Sequence, residues 1–162
     1  MSTKRVQKKT TTSGKEYLVG SLGGWEKVAR NLVRQLRPGD IITLSGPLGA
    51  GKTTFVQALA HELGAKRQPK SPTFSLVRTY KLKTPSSKLH ALVHVDAYRI
   101  ERAEDVVTLG LDELLEVPGT IMAIEWPENV IAWLSRSKQT VSITIKLQKD
   151  GTRIVRLHAP IR

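Results

Sequence analysis

Apolar positions recur along this chain at two spacings, and the switches between them mark its elements. After a polar start, EYLVGS reads as a short strand. In LGGWEKVARNLVRQL, residues Trp25, Val28, Ala29, Leu32, Val33 and Leu36 fall at helical spacing until Pro38-Gly39 ends the helix. DIITLS is almost continuously apolar, as strands covered on both faces are, and TTFVQALAHELG reads as a helix closed by Gly64. TFSLVRTYKL alternates, KTPSSK turns the chain, and LHALVHVDAYR returns as a second strand, which together predict a hairpin. AEDVVTLGLDELLE predicts one or two short helices around Gly110, GTIMAIEW another buried strand, and ENVIAWLS a short helix. TVSITIKL and TRIVRLHA alternate cleanly, with Asp150-Gly151 in the turn between them. The order is that of an α/β chain: apolar, parallel-type strands in the middle, helices packed on them, and antiparallel hairpins added at an edge.

Composition narrows the function classes. A chain of 162 residues with 40% apolar content fits one domain that buries its own core. We expect that domain over residues 16–162, preceded by a disordered basic tail over residues 1–15, where apolar surface is too sparse to offset ordering. There is no cysteine, and the four histidines are scattered, so neither disulfides nor a zinc pattern is expected. No run of 18 apolar residues and no apolar segment behind the basic start are present, so no membrane association and a cytoplasmic location are expected. The net charge of +12 sits at the ends: residues 1–15 carry five Lys or Arg and no acid, and residues 134–162 carry seven against Asp150 alone. The middle of the chain, where the candidate chemistry lies, is nearly neutral.

That chemistry begins at GPLGAGKT, which matches G-x-x-x-x-G-K-[ST] in full, with a predicted strand before it and a helix after it. Glycines let backbone N–H groups turn inward and approach oxygens closely, and the following helix start adds partial positive charge. Gly46, Leu48, Gly49, Ala50, Gly51, Lys52, Thr53 and Thr54 form the candidate nucleotide-binding stretch. Lys52 is expected to reach the β and γ phosphates, the Thr53 hydroxyl to ligate magnesium, and Thr54 to follow as the next helical residue. The fold class is then a P-loop NTPase-like α/β domain: a central mixed, partly parallel sheet flanked by helices, with antiparallel hairpins.

Hydrolysis also needs a carboxylate beside the metal and a group to orient the attacking oxygen. Asp96 closes LHALVHVD and Glu125 closes TIMAIE, each at the carboxyl end of an apolar strand, where ligands bind in such folds. One is expected to bind magnesium and the other to position water, and both assignments stay open. Thr73, in SPTF, is a candidate magnesium ligand or triphosphate sensor. Tyr98, Arg99 and Trp126 are large groups just beyond the two carboxylates.

GPLGAGKTTF, SPTF, HVDAYR, LGLDELL and EWPE, in that order, closely resemble the TsaE family, small bacterial P-loop ATPases of tRNA threonylcarbamoyladenosine biosynthesis, over residues 17 to 148. The resemblance implies ATP with Mg2+, P-loop roles for Lys52 and Thr53, a switch-like role for Thr73, metal and water roles for Asp96 and Glu125, and a place beside the site for Trp126. It also implies partners: a TsaB–TsaD complex, reset between turnovers by ATP hydrolysis, with tRNA engaged indirectly or touched by the basic ends. One departure is Pro47, where the family usually has a polar residue; it stiffens the loop and spares the glycines, Lys52 and Thr53. Two rival classes fit less well. A small-molecule kinase needs an Arg-rich lid, and AKRQPK is too short for one; an RNA-binding module needs stacking aromatics, and only 5% of residues are aromatic.

Overall fold

The computed structural model describes residues 8–11, 14–70, 75–83, 88–136 and 139–159, with backbone only for residues 8–11 and Ala103. The described strands are β1 Lys8–Thr11, β2 Gly14–Val19, β3 Ile41–Ser45, β4 Val77–Lys81, β5 Ala91–Asp96, β6 Thr120–Glu125, β7 Thr140–Leu147 and β8 Arg153–His158. The helices are α1 Leu22–Val33, α2 Lys52–Glu62, α3 Ala103–Thr108, α4 Leu111–Glu116 and α5 Ile131–Leu134, with single 3-10 turns at Ala97–Arg99 and Pro127–Val130. The strands form one sheet in the order β1-β2-β8-β7-β3-β6-β5-β4. β7, β3, β6 and β5 run parallel, and the antiparallel strands lie outside them, β4 at one edge and β8, β2 and β1 at the other. The mixed, partly parallel sheet is as the sequence predicts, except that antiparallel strands flank both edges. A second difference is at the start of the chain: Lys8–Thr11 and Gly14–Lys15, expected to be disordered, lie in strands, because β2 offers β1 a free edge.

β3, β5 and β6 are largely apolar because the sheet is covered on both faces. Ile42, Leu44, Leu92, Ile121 and Ala123 pack into one core with α1 and α2, while Ile41, Val93, Val95, Met122 and Ile124 pack into a second with residues of α3, α4 and α5. The Ser21 hydroxyl accepts a hydrogen bond from the Gly24 N–H (3.3 Å) and caps α1, whose buried stripe is Trp25, Val28, Ala29 and Leu32. Trp25 meets Phe55 of α2 edge to face at 6.1 Å between centroids, which anchors the two helices on each other beneath the loop of residues 46–51. Among the described residues no helix is long and apolar enough to cross a membrane.

The entry to α2 depends on one glycine. Gly51 has φ 105°, and a Cβ there would come within 2.7 Å of Trp25 Cζ2. Gly51→Ala combines backbone strain with a clash against a ring fixed in the core, so it should destabilise the fold by about 2 kcal/mol or more. Denaturant unfolding checks this, and an unchanged midpoint would contradict it.

Candidate active site

The parallel register brings three strand ends together: Leu44 of β3 is paired with Glu125 of β6, and Glu125 with Asp96 of β5. The loop of residues 46–51 leaves the end of β3 and enters α2 directly over these carboxylates. The result is a cleft of about 390 Å³ lined by Leu48, Gly49, Gly51, Lys52, Thr53, Thr54, Leu76, Asp96, Tyr98, Arg99, Glu125, Trp126 and Arg153. Gly46 and Ala50 from the candidate stretch do not line it. Ala50 is fully buried, and a Cβ on Gly46 would meet the Ile145 carbonyl oxygen at 2.7 Å, so these two seat the loop on the sheet. Thr73 lies outside the described residues.

Lys52 is only 5% exposed. Its Nζ donates to the carbonyl oxygens of Gly46 (2.7 Å) and Pro47 (2.9 Å) and sits 3.9 Å from the centre of the Trp126 ring. Burial lowers the pKa of this ammonium from the ordinary lysine value, opposed by the nearby charges of Glu125, Glu128 and Asp96. The Trp126 ring supplies a cation–π contact of about 0.5–2 kcal/mol. Holding it there requires φ 58° at a non-glycine residue, at a cost of about 1–2 kcal/mol. The Trp126 N–H donates to the Leu44 carbonyl (3.3 Å), and its ring stacks at a tilt on Tyr98, 4.9 Å between centroids.

The two carboxylates have different surroundings. Glu125 is 3% exposed and accepts from the Thr53 hydroxyl through both oxygens, 2.8 Å to Oε1 and 3.1 Å to Oε2. Asp96 is half-buried, and its Oδ1 accepts from the Tyr98 N–H (3.1 Å), capping the 3-10 turn. Two further groups escaped the sequence reading. Arg153 donates from Nε to the Ala50 carbonyl (3.3 Å) and from Nη1 to the Gly151 carbonyl (2.8 Å), which places a guanidinium against the loop; nothing in TRIVRLHA distinguishes it. His94 is fully buried with Nε2 2.8 Å from Glu125 Oε1, and here a signal existed, since period-2 alternation puts His94 and Asp96 on one face of β5.

A model of the family described as "Threonylcarbamoyl adenosine biosynthesis protein TsaE" matches residues 20–155. The chain belongs to the TsaE family. Proteins named "tRNA threonylcarbamoyladenosine biosynthesis protein TsaE" resemble it in Rickettsia prowazekii, at 34% identity over 80% of this chain and 85% of that one, and in Treponema pallidum, at 38% over 74% and 82%. The Bacillus subtilis protein of that name is 38% identical over 72% of this chain and 68% of its own, whereas the match spans only 57% of the relative from Rickettsia felis. The crystal structure of Bacillus subtilis YdiB superposes with a TM-score of 0.68 and 28% identity over 96% of this chain and 87% of that chain. Membership of TsaE places the chain in a family of tRNA threonylcarbamoyladenosine biosynthesis; β1 and all of β2 lie before the matched residues.

Proposed function

We propose that this TsaE protein is a magnesium-dependent ATPase that works with TsaB and TsaD in modifying tRNA adenosine beside the anticodon, its hydrolysis resetting their complex between turnovers. The observation that carries this reading is the convergence of the Lys52 ammonium, the Thr53 hydroxyl and the Glu125 carboxylate at one loop–helix junction. Lys52 exchanges its carbonyl partners for phosphate oxygens when nucleotide enters, gaining charge-assisted bonds at a nearly buried ammonium. The Thr53 hydroxyl, now bonded to Glu125, would serve as a cation ligand. Among the described residues no three His, Cys, Asp or Glu side chains cluster as a metal site. A hydroxyl with a carboxylate beside it suits magnesium, which takes most of its ligands from phosphate and water. A magnesium ion held by Thr53 on the Glu125 side would neutralise charge that builds on the phosphate during transfer. Because Glu125 shares the Thr53 hydroxyl, we assign Glu125 to the cation side and Asp96, on the more open wall, to orienting the attacking water. Adenine specificity and the TsaB–TsaD partnership rest on the family resemblance.

The test is reconstitution with cognate TsaB and TsaD, counting threonylcarbamoyl groups added to tRNA per complex over several turnovers. With ATP, modification should continue beyond one round and hydrolysis should rise when the partners are added. With a non-hydrolysable analogue it should stall after about one round. Continued turnover with the analogue, or hydrolysis indifferent to the partners, would overturn the resetting role.

A further inference from the structure

His94 is an expensive residue for its place. Its side chain is fully buried beneath the loop, on the face of β5 that carries core residue Leu92, and its Nδ1 has no hydrogen-bond partner among the described residues. A buried polar atom left unpaired costs about 1–3 kcal/mol, and an apolar side chain of similar size would avoid that cost. What the imidazole makes instead, among the described residues, is a single bond, Nε2 to Glu125 Oε1 at 2.8 Å. An ionised carboxylate only accepts, so Nε2 carries the hydrogen; a hydrogen on Nδ1 would be buried without an acceptor.

We infer that His94 is a positioning residue that makes the two oxygens of Glu125 inequivalent; the inference rests on the catalytic reading of Glu125 given above. Among the described residues Oε1 accepts both His94 Nε2 and the shorter contact from Thr53, whereas Oε2 has only the longer Thr53 contact at 3.1 Å. Once Thr53 turns to a cation, Oε1 remains held by His94 and Oε2 is left as the oxygen facing the cleft. Without His94 the carboxylate is free to rotate about its last bond, and either oxygen, or neither, is presented. Partners of this kind behind a metal-site carboxylate typically contribute about 10- to 100-fold to affinity or activity.

The test compares His94→Leu, which removes the donor, with His94→Gln, which returns an N–H at similar reach. His94→Leu should bind nucleotide within about threefold of the parent, need more magnesium for half-maximal hydrolysis, and lose about 10-fold or more in kcat. His94→Gln should recover most of that loss. Independently of activity, nitrogen NMR of histidine-labelled, nucleotide-free protein should show the Nε2–H tautomer for His94. Unchanged kcat and magnesium requirement in His94→Leu, no rescue by His94→Gln, or an Nδ1–H tautomer would each overturn the inference. Should His94→Leu not fold, the glutamine variant and the tautomer still decide it. Glu125→Gln in parallel separates the two levels: if its turnover is normal, the catalytic reading of Glu125 is wrong, whereas if only the His94 variants are normal, the positioning role alone is lost.

Discussion

Lys52→Ala should lose nucleotide affinity by about 100-fold or more while the domain stays folded. Each charge-assisted hydrogen bond to an anion contributes about 1.5–3 kcal/mol, and the ammonium is the one group in the loop positioned to exchange carbonyl oxygens for phosphate oxygens without rebuilding the backbone. The opposing cost to stability is small. Lys52 is nearly buried, and its pKa is lowered chiefly by that burial, so removing the ammonium removes a desolvation cost along with its bonds to Gly46 and Pro47. The space the side chain vacates opens on the cleft that Lys52 itself lines, so water can enter it and reach those two carbonyls. Calorimetric titration with ATP and a thermal unfolding scan on the same preparation separate the effects. Retention of parental hydrolysis by Lys52→Ala would defeat the proposed site outright.

Glu125→Gln should give the complementary result: affinity for nucleotide within a few-fold, and turnover lower by about 100- to 1000-fold. The amide has nearly the shape of the carboxylate and still offers an oxygen to Thr53, so the fold should hold within about 1 kcal/mol. What is lost is the negative charge beside the cation and the pull that holds His94 in line. Single-turnover kinetics with saturating ATP measures the chemical step directly. A fall in thermal stability as large as that of a core deletion, with the chemical rate intact, would instead make Glu125 a strut between α2 and β5.

The features that were legible in the sequence are local. DIITLS, GPLGAGKT and TTFVQALAHELG declare strand, loop and helix by spacing and glycine chemistry within residues 40–64, and Asp96 and Glu125 declare themselves by ending apolar runs. Their meeting at one cleft follows from parallel pairing of β5, β6 and β3, which the apolar character of those strands already implied. Other features were set by distant partners. Nothing near Gly14–Val19 says that it pairs with β8 more than 130 residues later, or that a further strand, β1, adds to its other side. Arg153 reads as one more cation in a basic C-terminal segment until the turn between β7 and β8 brings it against the Ala50 carbonyl. The positive φ of Trp126 is imposed by its place over Lys52 and by its bond to Leu44, since tryptophan has no tendency of its own toward that conformation.

The strand order also governs what the chain can do while it is being made. β3, which carries the nucleotide loop, lies between β6 and β7, both encoded after it, so a nascent chain that has not reached residue 120 contains no neighbour for it. Helices α1 and α2 can meet early, but the strand beneath them stays apolar on both faces with two bare edges until the last quarter of the chain emerges from the ribosome. Closure of β2 onto β8 waits longer still, for residues 153–158. Synthesis therefore runs well ahead of folding in this domain, and the interval between them is when an unpaired β3 is most exposed to pairing with another chain.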